Sequence, residues 1–266
     1  MAQLLNPFER IVTMLTEAHS PGRHFPATLL YNEGWMLRLV LDWFASQPSH
    51  DHPLSFSPAA NWYSEALLPS QFFASRRGDP LAEGWTHADG VIGHVTIGDG
   101  ALANTKLKPD ASQFIVTEAK LSSPLSPGVK NAPDYDQAAR NVACMAQVLS
   151  ESGIELTKMP SMGFHVLAPE SQIASGVFAG EMNEVSIRGK VEQRISAYRD
   201  PEVLSSKMAW YEHTFLPTLN KIKISCLSWE AIIDHITHID PPFGNELSGF
   251  YMRCSRFNEK SNNQPK

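Results

Sequence analysis

Apolar and polar positions fall into blocks whose period changes along the chain, and each change predicts an element. Residues 7–18 and 29–45 repeat apolar side chains at three-to-four spacing, the signature of helices, and Ser20-Pro21-Gly22 separates them. The second stretch has few polar residues: Asn32, Glu33, Arg38 and Asp42. Glu33 stands near its start, where a helix dipole favours an acid. A loop rich in Ser, His and Pro follows over 46–58, then a short helix is expected around Trp62, Tyr63 and Glu65.

The period then drops to two. Val91, Val95 and Ile97, residues 106–108 and residues 114–121 read as strands of an antiparallel meander, parted by Gly98-Asp99-Gly100 and Pro109-Asp110-Ala111-Ser112. A helix over 134–151 returns to helical period with Ala138, Val142, Met145 and Leu149, and Gly153 stops it. Residues 163–167 predict a buried strand, 183–198 a helix, and a further helix reaches Leu219. Ile222 and Ile224 mark a strand, and Ser228 caps a last helix through Ile236. The sum is an α/β fold with a mixed central β-sheet flanked by helices.

Length bounds this picture. With 266 residues and 42% hydrophobic content the chain suits one domain over residues 1–257, leaving the polar stretch 258–266 as a disordered tail. Cys144, Cys226 and Cys254 are odd in number and lack Cys-x-x-Cys spacing, which excludes a disulfide framework or zinc knuckle and points to buried thiols in a reducing cytoplasm. No basic leader with an apolar run and no membrane-length apolar window is visible, so a cytoplasmic protein without membrane association is expected. The net charge of −6 argues against a general nucleic-acid coat, although a local basic rim still serves a site. Candidates for such a rim are Arg76, Arg77, Lys106, Lys108, Lys130, Arg188, Lys190, Arg194 and Arg199, most of them expected on solvated surface.

Other chemistries find little support. His235-x-x-His238 has helical spacing but implies no third ligand, and Trp35, Trp43, Trp62 and Trp85 read mainly as core. Neither Gly-x-Ser-x-Gly nor a phosphate-binding glycine motif occurs.

On the strand over 114–121 the side chains of Phe114, Val116, Glu118 and Lys120 share one face. An acid and an amine at the end of an apolar strand are costly to bury unless they face each other or a polar cavity. Glu118-Ala119-Lys120, an aspartate in the preceding strand region, Glu33 on an earlier helix and a Gln-bearing helix directly after resemble the core of the PD-(D/E)XK, restriction-endonuclease-like, nuclease superfamily. The resemblance spans residues 29–167 and leaves extra C-terminal helices.

The resemblance implies that an aspartate and Glu118 bind Mg2+, or Mn2+ in its place, and that Lys120 positions or activates the attacking water. Two aspartates compete. Asp110 follows Pro109 but sits in the turn before the strand of Glu118, roughly 13 Å or more away along an extended chain. Asp89 opens Asp89-Gly90-Val91-Ile92-Gly93, and an antiparallel return would bring it level with Glu118, so it is favoured. Glu33, with Glu65 and Glu83 as competitors, matches the family's helical acid. Gln137 matches the glutamine facing the site, with Asn141 and Arg140 nearby. The implied activity is hydrolysis of phosphodiester bonds in DNA, in preference to RNA, in host defence or DNA processing, by a homodimer or with a protein partner. An inactive nuclease-like binding or assembly subunit and a different carboxylate enzyme are the alternatives.

Overall fold

A computed structural model describes residues 7–258 apart from 19, 21, 23, 49–50, 75, 99–103 and 129–130. Lys130, the expected turn at Asp99 and Gly100, Pro21 and residues 259–266 of the expected tail lie outside the described residues.

The elements in order are α1 (Pro7–Thr16), α2 (Glu33–Ser46), β1 (Asn61–Leu68), β2 (Thr86–Gly93), β3 (Val95–Ile97), β4 (Thr105–Leu107), β5 (Gln113–Ala119), α3 (Gln137–Ser152), β6 (Ser161–Ala168), α4 (Glu170–Ala174), α5 (Glu184–Ser196), α6 (Pro201–Trp210), α7 (Leu216–Lys221), β7 (Lys223–Ser228), α8 (Trp229–Ile239) and α9 (Pro241–Asn258). Strands β1-β2-β5-β6-β7 form a mixed five-stranded sheet, antiparallel from β1 to β5 and parallel from β5 to β7, while β3 and β4 pair apart. The expected mixed sheet flanked by helices is therefore present.

Each face of the sheet builds its own core. Phe114, Val116, Phe164 and Val166 meet α3, α5 and the 201–221 helical run on one side. Ile92, Ile115, Ala119 and Leu167 meet α2, α8 and α9 on the other. Both central parallel strands are thus covered on both faces, which explains their near-continuous apolar runs. The helices start and stop on local chemistry. Asn32 caps α2 by accepting from Trp35 N at 2.9 Å, Asp136 caps α3 by accepting from Ala139 N at 3.0 Å, and Gly153 ends α3 at φ 64°. Ser228 caps α8 as expected, accepting from Ala231 N at 3.2 Å.

Four expectations need correction. Residues 61–68 form strand β1 rather than a helix, because pairing with β2 along Asn61↔Gly93 through Leu68↔Thr86 overrides the helix-forming Glu-Ala-Leu-Leu. The helix expected over 29–45 is split: a 3-10 turn occupies Ala27–Leu29, and Asn32 starts α2 afresh, its side-chain amide donating to Thr28 O and Leu29 O. The helix from Ser228 is not the last. Helix α9 follows and extends through Asn258, whose side chain donates to Tyr31 O at 2.7 Å, so Asn258 is part of the fold rather than the tail. Finally, Arg194 is buried at 3% exposure, donating to Asn131 O and Leu81 O, and cannot serve on a solvated rim.

Candidate acidic site

The site forms where two strands part. The β2–β5 ladder runs only from Gly93↔Phe114 to Gly90↔Thr117, whereas β2 stays paired with β1 as far as Thr86. One step beyond Gly90↔Thr117, Asp89 stands opposite Glu118, and its Oδ2 accepts the Ala119 N–H at 2.8 Å. A side-chain oxygen thus takes a donor at the point where the backbone ladder ends, which satisfies the amide and fixes the carboxylate in the fork.

Glycine is required beside it. A Cβ on Gly90 would come within 2.4 Å of Thr117 Oγ1 and 3.0 Å of a Leu41 methyl, so a side chain there would push β2 away from β5. On the other flank, Glu65 of β1 sits between the pairs Ser64↔Gly90 and Ala66↔Ala88 with φ 56°, a left-handed conformation uncommon for a residue with a side chain. The strand next to Asp89 is therefore irregular at Glu65, where the Asp89 carboxylate must emerge.

Glu118 is 1% exposed and its oxygens are surrounded by donors. Lys120 Nζ donates to Oε1 at 2.8 Å, Gln137 Nε2 donates to the same oxygen, and Asn141 Nδ2 approaches Oε2 at 3.5 Å. Gln137, the first residue of α3, also accepts from Ser126 N at 3.0 Å, which ties the 122–136 loop to the site. Burial pushes the Glu118 carboxyl up to about 8; the Asp89 carboxylate adds to the rise and Lys120 opposes it. Lys120 is itself buried, and its carbonyl accepts from Trp229 Nε1 at 2.8 Å.

Asp89, Glu118, Lys120 and Gln137 are therefore brought together, with Asn141 beside them. Asp110 is not. It lies exposed in the turn before β5, with five strand steps, roughly 17 Å, between Gln113 and Glu118. Glu33 opens α2 and acts on Cys254 of α9, helping burial push that thiol up to about 12. Glu65 pairs with Arg38 at 3.4 Å on the surface, and Glu83 accepts from the Ser70 hydroxyl. His235 stacks on Phe44 and lies tilted against His52, packed among aromatic rings. The role of Trp229 in holding Lys120 was not foreseen, since nothing near residue 229 points to residue 120.

Two carboxylates suit a hard divalent cation. Among the described residues no group of three or more His, Cys, Asp or Glu could hold a metal. Magnesium commonly takes one or two carboxylates and fills its remaining positions with water and substrate phosphate, so a pair is a fitting donor set. The buried Asn141 Oδ1, which lacks a hydrogen-bond partner, adds a further unanswered acceptor on the residue that touches Glu118.

Comparison with family models, with curated proteins and with solved structures finds no match. No helix among the described residues is long and apolar enough to cross a membrane.

Proposed function

We propose that this chain is a divalent-metal-dependent phosphodiesterase of the restriction-endonuclease type that cleaves DNA in preference to RNA. The observation that carries this reading is the convergence of Asp89 and Glu118 at the β2–β5 fork with Lys120 on the same carboxylate. Asp89 and Glu118 would hold Mg2+ or Mn2+, which would polarise the phosphate and stabilise the charge that develops on it. Lys120, which donates to Glu118 at 2.8 Å, would hold the attacking water beside that carboxylate by donating to its oxygen. Gln137 is a positioning residue, because it orients Glu118 and anchors the loop at Ser126.

A second reading draws on the saturation of Glu118. Three protein donors already answer its oxygens, as in a buried structural ion pair, which suits a nuclease-like subunit that binds a partner without cutting. Cleavage of plasmid, linear and single-stranded DNA in magnesium and in EDTA separates the two. The first reading expects cutting only with magnesium, lost in Asp89→Ala, Glu118→Ala and Lys120→Ala and kept in Asp110→Ala. Intact DNA under every condition, or cutting that survives Glu118→Ala, would sink it.

A further inference from the structure

A half-buried glutamate lies in the segment that leads into β2. Glu83 stands in the segment between β1 and β2, its N–H donating to Phe72 O at 2.9 Å. Its Oε1 accepts from the Ser70 hydroxyl, but its Oε2 is buried without a partner. Arg194, Arg140 and Lys207 all act on it electrostatically, and the Nε atoms of Arg140 and Arg194 are buried without acceptors. This gathering of cations around one carboxylate occurs in a chain of net charge −6.

Beside Glu83 opens a cleft of about 340 Å³, lined by Glu83, Trp85, Thr86, Asn131 and Arg140 among others. Two of its lining residues, Thr86 and Arg140, belong to β2 and α3, which also carry residues of the acidic site. Thr86 is three residues from Asp89 along β2, roughly 10 Å, and Arg140 adjoins Asn141 on α3.

We propose that this cleft seats a nucleotide of the substrate strand beside the reacting phosphate, with Arg140 on a phosphate oxygen, Trp85 against the base and Glu83 accepting from an exocyclic amino group. The proposal rests on the phosphodiesterase reading for its ligand's source. Each part follows from chemistry. A guanidinium offers paired donors to phosphate oxygens, an indole gives a sequence-tolerant face for a base, and a carboxylate accepts well from the amino group of cytosine or adenine. Charged side chains that line a cleft favour an occupant that answers them, and Glu83 and Arg140 both line this one. Thymine presents no amino group and is the disfavoured base.

The test reads binding in EDTA, by anisotropy of labelled short homopolymeric deoxyoligonucleotides of C, A or T, with free dCMP as competitor. C and A strands are expected to bind about tenfold more tightly than T. Glu83→Gln should shrink that preference to about threefold or less, because a neutral acceptor replaces a charged one. Arg140→Gln should weaken all strands alike and lower the salt slope by about one. Should Glu83→Gln melt well below the parent, Trp85→Phe provides the second readout, with weaker binding of every strand expected and unaltered binding overturning the proposal.

Equal affinity for all three strands would overturn the proposal. So would an unchanged preference in a Glu83→Gln variant that melts like the parent. If dCMP binds as tightly as the strand, the cleft belongs to a free nucleotide and the seating is overturned. Base preference without any metal-dependent cleavage would defeat only the phosphodiesterase reading; cleavage without base preference would defeat only the cleft.

Discussion

Strand β5 carries a buried polar residue at each end, and the two are accommodated in opposite ways. Gln113 is neutral and fully answered: Ser57 N donates to its Oε1 at 2.8 Å, and its Nε2 donates to Ser55 O at 2.8 Å and to Ser161 Oγ at 3.1 Å. It stitches the 53–58 loop and β6 to the sheet. Glu118 can carry charge, faces another carboxylate, and is held against its own ionisation by burial. The first arrangement lowers the free energy of the fold, whereas the second holds a carboxyl whose ionisation is unfavourable until a cation answers it. Burial alone therefore does not separate a structural polar group from a reactive one. The balance between donors and neighbouring charge does.

Substitution at the two ends should break the comparison cleanly. Glu118→Gln is expected to lower magnesium-dependent cleavage by about a thousandfold or more, since several kcal/mol of charge stabilisation is lost. Its melting temperature without metal should match or exceed that of the parent, and a large fall would show instead that Glu118 is a structural group. Gln113→Ala should do the reverse, costing about 2–3 kcal/mol in denaturant unfolding because Ser57 N and Ser55 O lose their partner, with cleavage per folded molecule unchanged.

The effect of pH sharpens the contrast. The Glu118 carboxyl keeps its proton in the fold up to about 8, against an ordinary value of 4.5. Between these values unfolding releases a proton, so rising pH favours the unfolded chain, and this contribution to stability is complete below the lower value and lost above the upper one. Melting curves in EDTA should show the parent losing stability relative to Glu118→Gln from about pH 5 to 8. Parallel curves would show that the group is already ionised when folded. The smallest effect is expected at Asp110, close to the Gln113 end: Asp110→Ala should leave cleavage unaltered and shift stability by less than about 0.5 kcal/mol.

Much of the acidic site was legible because it depends on local periodicity. Alternation along β5 places Glu118 and Lys120 on one face, and an antiparallel return brings Asp89, not Asp110, to the same level. The capped and glycine-terminated α3 brings Gln137 and Asn141 over it. What escaped depends on contacts distant in sequence. Strand β1 carries helix-forming residues, and only its partner β2 decides otherwise. Helix α9 begins at Pro241-Pro242 and contains Gly244 and Gly249, which mask the spacing of Phe243, Leu247, Phe250, Cys254 and Phe257, the signal that would have revealed it. Arg194 looked like surface because charge suggests exposure, yet its donors answer two backbone carbonyls.

The bond from Trp229 to the Lys120 carbonyl crosses 109 positions of the chain. Contacts of such separation close large loops and are slow to form. During synthesis the acidic pair and α3 can leave the ribosome well before the indole that steadies the lysine exists. The order of emergence sets the earliest moment of this tether: the backbone at Lys120 can acquire it only once Trp229, the first residue of α8, has been made.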